Sequence, residues 1–331
     1  VRGLGDMSRV QDGRLAWLSW LSPIGWAQQT APYTLDRWWP LLLPLLFAGF
    51  TAGLGFRLRS RRDLGAGVLA DRPGNGRAPA WLGTPLALAW RLQRGTLIGW
   101  SAAFLVAGLV FGAFTQTITD TADDMPPEIL AVMGGATAIT EGYLGFMGIY
   151  FAVMLSVYGI LAVTSLRGEE TSYRSEPVLA AAVGRVGWVL SWVAVAAAGA
   201  LWLSVLAGIA EGLGAVLVTA DWSLFLPTVL GHGVQFAPVW LFIGLAAALY
   251  GLVPRLVGLV WLVFIAGSVL SMFGRMLQLS QTWLNLSPFE HVGQHPATEV
   301  AWAGVGLLAG SGVILALLGA IAFRRRDLTA V

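Results

Sequence analysis

The sequence predicts an all-α polytopic membrane protein with about seven transmembrane helices. Of its 331 residues, 56% are hydrophobic and only 11% are charged, whereas an ordinary soluble domain has roughly 25% charged residues. The chain contains 42 glycines and 16 tryptophans, which fits membrane helices because these tolerate glycine and place tryptophan at the bilayer interfaces. Seven apolar stretches are long enough to cross about 30 Å of hydrocarbon as helices.

The predicted spans follow one another with charged or polar connections between them. Before the first span, Trp17, Leu18, Trp20 and Leu21 predict a short interfacial or re-entrant element within residues 1–37. The predicted spans cover residues 38–56, 97–115, 143–166, 186–210, 229–250, 256–273 and 301–323.

The composition also excludes several classes of function. The sequence has no cysteine, so it can form neither a disulfide framework nor a thiolate metal site. All 20 basic residues are arginine, and a P-loop ATPase needs a lysine on the nucleotide phosphates. The arginines lie between apolar spans rather than on one polar face, which favours a lipid bilayer over nucleic acid as the partner.

One segment of the sequence occurs twice. Leu-Ser-Pro stands at residues 21–23 and again at 286–288, and after an apolar span Arg-Asp-Leu stands at 62–64 and again at 326–328. Parallel repetition of hydrophobic spans with the same flanking residues is how many transporters are built. We therefore expect the first copy to be the tail of a first half whose other spans are absent from this sequence.

Three segments follow from the repeat. Residues 1–66 are predicted to be the tail of a first six-helix half, comprising an outer re-entrant or interfacial element and a last transmembrane helix. Residues 67–95 are predicted to form a cytoplasmic linker, rich in glycine and proline, and an amphipathic interfacial helix that carries Trp90, Arg91 and Arg94. Residues 96–331 are predicted to form a second, complete six-helix transmembrane half.

The charges predict the orientation of the spans. Most arginines fall in connections on one side, among them Arg167, Arg174, Arg185 and Arg255. A group of carboxylates falls on the other side, among them Glu211, which is expected to be solvated there. By the positive-inside rule, the arginine-rich side, which includes the C-terminus, is cytoplasmic.

Four stretches of the sequence carry a resemblance to a known family. They are Leu-Ser-Pro-Ile-Gly-Trp-Ala-Gln-Gln at 21–29, Arg-Asp-Leu-Gly-Ala-Gly at 62–67, Pro-Leu-Ala-Leu-Ala-Trp-Arg-Leu-Gln-Arg-Gly at 85–95, and the charged connection at 167–180. Together with the order of the spans, they resemble the permease subunit of type-2 ABC exporters. Within these, the chain is similar to actinobacterial permeases for export of tetronasin and polyketide antibiotics.

The resemblance implies a transport subunit rather than an enzyme. Such a subunit moves an apolar or amphipathic compound (an antibiotic, a polyketide or a drug-like molecule) out of the cell. The resemblance also implies that a separate ABC ATPase binds ATP and Mg²⁺, that this chain binds no cofactor or metal itself, and that it spans the bacterial inner (plasma) membrane.

The connection at 167–185 is the predicted ATPase-coupling loop, because in the resembled exporters this loop holds a helix that docks on the ATPase. Its charged candidates are Glu169, Glu170, Arg174, Glu176 and Arg185. Glu170 and Arg174 are four residues apart and are expected to pair on a helix surface, while residues 178–183 are expected to offer an apolar face to the partner. The alternative is a solvated connector, which would leave the coupling role to the helix at 86–95.

The substrate path is predicted from polar and aromatic residues of the fifth span. His232, Gln235 and Trp240 are candidates, because polar groups inside a membrane are functional candidates by default. His232 lies near the outer end of its span, so an interfacial, water-accessible histidine is the favoured interpretation.

Two other functions stay open at this point. A non-transporting membrane scaffold is disfavoured by the repeat. An ion-coupled secondary transporter needs charges in the middle of its spans, and the predicted spans have essentially none. Small-xxx-small pairs at Gly49/Gly53, Gly108/Gly112 and Gly306/Gly310 predict close helix approach without naming the partner helix.

Overall fold

The computed structural model describes residues 16–60, 76–77, 79–122, 125–126, 130 and 139–327. Throughout these ranges the regular structure is helical. The α-helices are, in chain order, α1 (Pro23–Gln28), α2 (Leu42–Ser60), α3 (Pro85–Ala113), α4 (Thr115–Asp120), α5 (Ile139–Thr171), α6 (Ser175–Ala180), α7 (Arg185–Thr219), α8 (Phe225–Val234), α9 (Phe236–Leu252), α10 (Leu259–Phe273), α11 (Gln281–Leu284) and α12 (Trp302–Arg325).

The prediction of an all-α polytopic membrane protein is confirmed. Within the described ranges, seven helical segments are long and apolar enough to cross a membrane, and each overlaps one predicted span. These segments are Trp39–Ser60, Pro85–Asp120, Ile139–Thr171, Arg185–Thr219, Trp222–Leu252, Pro254–Phe273 and Trp302–Arg325.

The chain divides into two compact units, Val1–Arg77 and Ala78–Val331. In the first unit, Trp20 stacks on Trp39, just before the spanning helix α2, with ring centroids 5.5 Å apart. The Arg-Asp-Leu copy at 62–64, the predicted boundary at residue 66 and Leu328 lie outside the described residues. The three predicted segments therefore stay predictions.

Helix α3 begins the second unit and is longer than predicted. The sequence predicted a separate interfacial helix at 86–95, but the structure has one continuous helix of 29 residues. Pro85 occupies the first helical turn, and the Thr84 hydroxyl accepts a hydrogen bond from the Ala87 N–H at 3.2 Å. Since no proline follows within the helix, nothing separates the interfacial part from the span.

The fifth span is two helices rather than one. Helix α8 ends at Val234, and α9 begins at Phe236. Pro238 explains the interruption, because proline has no N–H to donate to the carbonyl four residues earlier and its ring crowds that carbonyl. The break turns the chain at Gln235, in the interior of the bundle.

The core of the second unit lies along α5, α7 and α9, which carry most of its buried residues. Helix α3 packs along α7 so closely that a Cβ on Gly112 would overlap the backbone of Glu211. Of the three predicted small-residue pairs, Gly108/Gly112 is thus a helix contact. At Gly49/Gly53 and Gly306/Gly310, nothing lies within 4 Å of an added Cβ.

Candidate functional site

Successive spans of the second unit run in opposite directions, and this brings several helix ends together. The ends of α5, α9 and α12 meet the start of α7, as hydrogen bonds among their side chains show. We call this the arginine-rich end, since Arg174, Arg185 and Arg326 stand there. The predicted ATPase-coupling loop connects α5 to α7 at this end.

Glu170 is the centre of a half-buried network at the arginine-rich end. Arg326 Nη2 donates to Glu170 Oε1 at 2.7 Å, and the Tyr250 hydroxyl donates to Glu170 Oε2 at 2.9 Å. The side chains of Arg326 and Glu170 are only 15% and 12% exposed. Because both charges have largely lost their water, their hydrogen bonds to each other matter more than those of a surface pair.

Arg326 is fixed by further contacts. Its guanidinium carbon lies 5.2 Å from the ring centroid of Tyr250 and 5.0 Å from that of Phe323, which are cation–π distances. Arg185 Nη1 donates to the Arg326 carbonyl at 2.6 Å. Glu170, Arg185, Tyr250 and Arg326, which we call the Glu170 network, therefore join α5, α7, α9 and the C-terminal side of α12.

The predicted Glu170–Arg174 pair is wrong. Arg174 pairs instead with Glu169, through Nε to Oε2 at 2.9 Å and Nη2 to Oε1 at 2.8 Å. The helix α5 ends at Thr171, and Tyr173 has a positive φ of 58°, so Arg174 no longer follows helical spacing. Arg174 is 62% exposed and lies on the surface.

The rest of the loop presents both polar and apolar surface. Tyr173 and Glu176 are exposed. Of the apolar face expected for a partner at 178–183, Val178, Leu179 and Val183 pack against the core, while the alanines at 180–182 are exposed. A role in ATPase coupling stays a prediction for all the candidate residues, which are Glu169, Glu170, Arg174, Glu176 and Arg185. The alternative, a solvated connector, also stays a prediction.

The first turns of α3 have one buried and one exposed face. Trp90, Arg91 and Arg94 are exposed, and Trp90 retains 45% of its surface. Ala89 and Gln93 are buried on the opposite face. The amphipathic pattern is therefore present in the fold, while the position of these residues at a membrane interface stays a prediction.

The positions of His232 and Glu211 in the structure differ most from those that the sequence predicted. His232 was expected at a wet interface and Glu211 in solvent, but their side chains are 2% and 0% exposed. Helix α7 continues to Thr219, so Glu211 lies inside a span instead of after it. The two side chains form a pair with 3.0 Å between His232 Nε2 and Glu211 Oε2.

The fold holds this pair from several sides. His232 Nδ1 lies 3.0 Å from the Thr228 carbonyl, and the Ser204 hydroxyl donates to the His232 carbonyl. The ring of Phe151 lies 5.5 Å from the imidazole. A carboxylate and a protonated imidazole at this distance attract each other, which makes the pair more tolerable in an apolar interior than either charge alone.

Gln235 and Trp240 form packing contacts within the second unit. Gln235 is 3% exposed and donates from Nε2 to the Gly293 carbonyl at 3.0 Å. Trp240 Nε1 donates to the Ala309 carbonyl at 3.0 Å, between α9 and α12. A substrate path along His232, Gln235 and Trp240 stays a prediction.

The second Leu-Ser-Pro copy forms a compact element at the opposite end from the Glu170 network. The Ser287 hydroxyl donates to the Gly267 carbonyl at 2.8 Å, and Phe289 is fully buried. Arg275 Nη2 donates to Glu290 Oε2 at 2.6 Å. Burial raises the pKa of Glu290, and the nearby Arg275 offsets part of this rise. The second copy of the motif thus forms a turn that is bonded to α10.

Sequence reasoning missed Glu211, Tyr250 and Arg326 as members of a site. Arg326 lies in the repeated Arg-Asp-Leu, so repetition was a usable indication of its importance. Nothing in the sequence indicated that its partner is Glu170, 156 residues earlier. Among the residues the structure describes, no group of three His, Cys, Asp or Glu could hold a metal ion.

Comparison with known proteins gives two matches. The family model "Multidrug efflux system permease Rv1217c, C-terminal domain" matches residues 82–324. The chain is also 37% identical over 326 residues to the multidrug efflux system permease protein Rv1217c of Mycobacterium tuberculosis. This alignment covers 96% of the chain and 59% of that relative, so the chain spans less than two thirds of the relative's length.

Proposed function

Because the chain belongs to the family of the multidrug efflux system permease Rv1217c, C-terminal domain, we propose that it is part of the permease of an ABC exporter. It moves an apolar or amphipathic compound out of the cell, and a separate ATPase subunit binds Mg²⁺-ATP. The relative's name supports efflux in general. The narrower class of tetronasin and polyketide antibiotics rests on the sequence resemblance alone.

The observation that carries the proposal is the Glu170 network. The loop between α5 and α7 exposes Tyr173, Arg174 and Glu176, where a soluble partner can reach them. Directly behind it, Glu170 is bonded to Arg326 and Tyr250. A displacement of the loop is thus transmitted to several spans through short, largely buried contacts. A transmission element between an ATPase and a membrane domain requires contacts of this kind.

The proposal includes an orientation. The arginine-rich end carries the C-terminal Arg324, Arg325 and Arg326 as well as the loop. By the positive-inside rule this end lies in the cytoplasm, where the ATPase is, and the C-terminus is cytoplasmic in a bacterial plasma membrane.

We expect the double variant Arg174→Ala and Glu176→Ala to retain about tenfold less ATPase in a pull-down from detergent. A tenfold change equals about 1.4 kcal/mol, a plausible loss for two charges at an interface. The fold should be unaffected, because an exposed ion pair such as Glu169–Arg174 contributes about 0–1 kcal/mol. The measurement is the amount of ATPase retained per permease, together with the melting temperature of the permease.

The matched control is Arg91→Ala with Arg94→Ala, which also removes two exposed charges. Normal retention in this control with weak retention in the loop variant supports docking at the loop. The reverse result moves docking to the first turns of α3, and parental retention in both variants contradicts docking at either surface.

The Glu211–His232 pair favours one other function, ion-coupled transport. The sequence disfavoured ion-coupled transport because the predicted spans have essentially no charges in their middle. In the structure, however, the Glu211–His232 pair lies inside α7 and α8. Buried ionisable groups that can share a proton are typical of proton relays in transporters. The energy source therefore decides between the two proposals.

A further inference from the structure

The first turns of α3 carry two arginines that the fold does not pair. Among the residues that the structure describes, neither Arg91 nor Arg94 takes part in a hydrogen bond or an ion pair, and both are exposed. By contrast, Arg174 and Arg326 are held by carboxylates of α5. Helix α3 itself contains no aspartate or glutamate. The charges of Arg91 and Arg94 can therefore pair with a group from outside the described part of the chain.

Arg94 belongs to an exposed stripe along α3. Trp90, Arg94, Ile98 and Leu105 are all exposed, and their spacings of four, four and seven residues place them on one face of the helix. Arg91 is three residues before Arg94 and borders the same face. We call these five residues the Arg94 stripe. The stripe is charged near the start of the helix and apolar beyond it.

The length of α3 places the two arginines relative to the bilayer. From Leu97 to its last residue, Ala113, the helix carries no charge and is about 26 Å long, which fills most of the hydrocarbon of a bilayer. The turns before Leu97 continue the same helix, so they extend beyond the hydrocarbon. Arg91 and Arg94 thus lie at the level of the lipid headgroups, while Ile98 and Leu105 lie among the acyl chains.

An aromatic side chain of α7 stands beside the apolar part of the stripe. Trp202 is exposed, and its indole nitrogen donates to Ser101 Oγ at 3.1 Å. Ser101 lies between Ile98 and Leu105 on the same face of α3. Along the helix axis, Arg94 and Leu105 are about 16 Å apart, which is close to the depth of one leaflet. A single acyl chain can therefore extend along the stripe from the headgroup level inward.

We propose that the Arg94 stripe binds an anionic phospholipid of the phosphatidylglycerol type. The phosphate accepts hydrogen bonds from Arg91 and Arg94, because a guanidinium presents a planar fork of donors that matches phosphate oxygens. One acyl chain lies along Ile98 and Leu105, beside Trp202. The assignment goes beyond the proposed function and does not rest on it.

Two arguments select this occupant. Unpaired arginines at headgroup level attract anionic lipids, whereas the phosphate of a zwitterionic lipid already has the lipid's own ammonium group nearby. A soluble partner protein cannot reach Ile98 and Leu105, which lie at hydrocarbon depth. Only a lipid matches both the charged and the apolar part of the stripe.

The test is native mass spectrometry of the chain in detergent, titrated with dioleoyl phosphatidylglycerol or with dioleoyl phosphatidylcholine. We expect tighter binding of the first phosphatidylglycerol than of the first phosphatidylcholine. The double variant Arg91→Gln with Arg94→Gln should bind phosphatidylglycerol about tenfold more weakly, because both cationic partners of the phosphate are missing. Its affinity for phosphatidylcholine and its melting temperature without lipid should stay parental, since the two side chains have no partner in the fold.

Further variants separate the site from a general attraction of charge. Arg324→Gln with Arg325→Gln is the matched control, because it also removes two exposed arginines, and it should bind phosphatidylglycerol like the parent. Arg91→Lys with Arg94→Lys keeps both charges but loses the planar forks, and should retain part of the preference. Ile98→Ser should weaken binding severalfold. Glycerol 1-phosphate, which has the phosphate without acyl chains, should not compete.

Parental affinity for phosphatidylglycerol in Arg91→Gln with Arg94→Gln would overturn the proposal, as would an equal loss in the Arg324→Gln and Arg325→Gln control. Effective competition by glycerol 1-phosphate would also overturn it, since the site would then be one for free phosphate. Loss of ATPase retention in the Arg91 and Arg94 variant, with parental lipid affinity, would assign this face to the ATPase instead. Failure of ATP-driven efflux contradicts the proposed function alone and leaves the lipid site in place.

Discussion

Replacing Glu211 with alanine is expected to lower the free energy of unfolding by about 3–5 kcal/mol, the usual cost of removing one partner of a buried pair. The reason is that His232 loses the group 3.0 Å from its Nε2 and no water can reach the site, since His232 is 2% exposed. Equilibrium unfolding in mixed micelles measures the change.

The double variant Glu211→Leu with His232→Leu tests the cause. Replacing both partners of a buried pair by apolar residues is often nearly neutral, so we expect the double variant to be more stable than either single variant. Glu176→Ala, which removes an exposed carboxylate, should change stability by less than about 0.5 kcal/mol. Additive losses in the double variant would contradict an interaction between Glu211 and His232.

Replacing Glu170 with alanine is expected to reduce ATP-driven efflux at least tenfold while ATPase retention stays near the parental level. Arg326 and Tyr250 both donate to this carboxylate, so its loss disconnects the loop from α9 and α12. Truncating one partner of a desolvated, hydrogen-bonded charge pair typically costs about 2–5 kcal/mol, so a lower melting temperature is expected as well. Efflux per inserted permease and ATPase stimulation are the measurements.

Glu169→Ala is the matched control, because Glu169 is the adjacent residue but pairs with the exposed Arg174. It should retain most of the efflux. Arg326→Lys keeps the charge but loses the planar group that lies against Tyr250 and Phe323, and should resemble Glu170→Ala. Equal efflux in Glu169→Ala and Glu170→Ala would contradict a special role for the Glu170 network.

The number and approximate places of the spans could be predicted because apolar length alone decides whether a helix can cross a bilayer. Their ends could not be predicted as well. The sequence predicts residue 210 as the end of the fourth span because a carboxylate follows at Glu211, which is costly in hydrocarbon unless paired. Its partner His232 lies on the next span, so only the tertiary structure shows that α7 continues to Thr219.

The candidate site was predictable in its place but not in its contacts. Charge and resemblance pointed to the loop at 167–185, and the local spacing rule paired Glu170 with Arg174. That rule requires a continuous helix, and α5 ends at Thr171. The partners of Glu170 come from α9 and from the residue after α12, at sequence separations that no local pattern reports.

The energy source of transport tests the central claim most directly. Inside-out membrane vesicles containing the permease and its ATPase are supplied with a fluorescent amphipathic dye, and uptake is followed with ATP present. The account predicts uptake that persists when a protonophore removes the proton gradient and that stops when the ATPase carries a substitution of its P-loop lysine. Uptake that stops with the protonophore and continues with the inactive ATPase would contradict the account and favour ion coupling through Glu211 and His232.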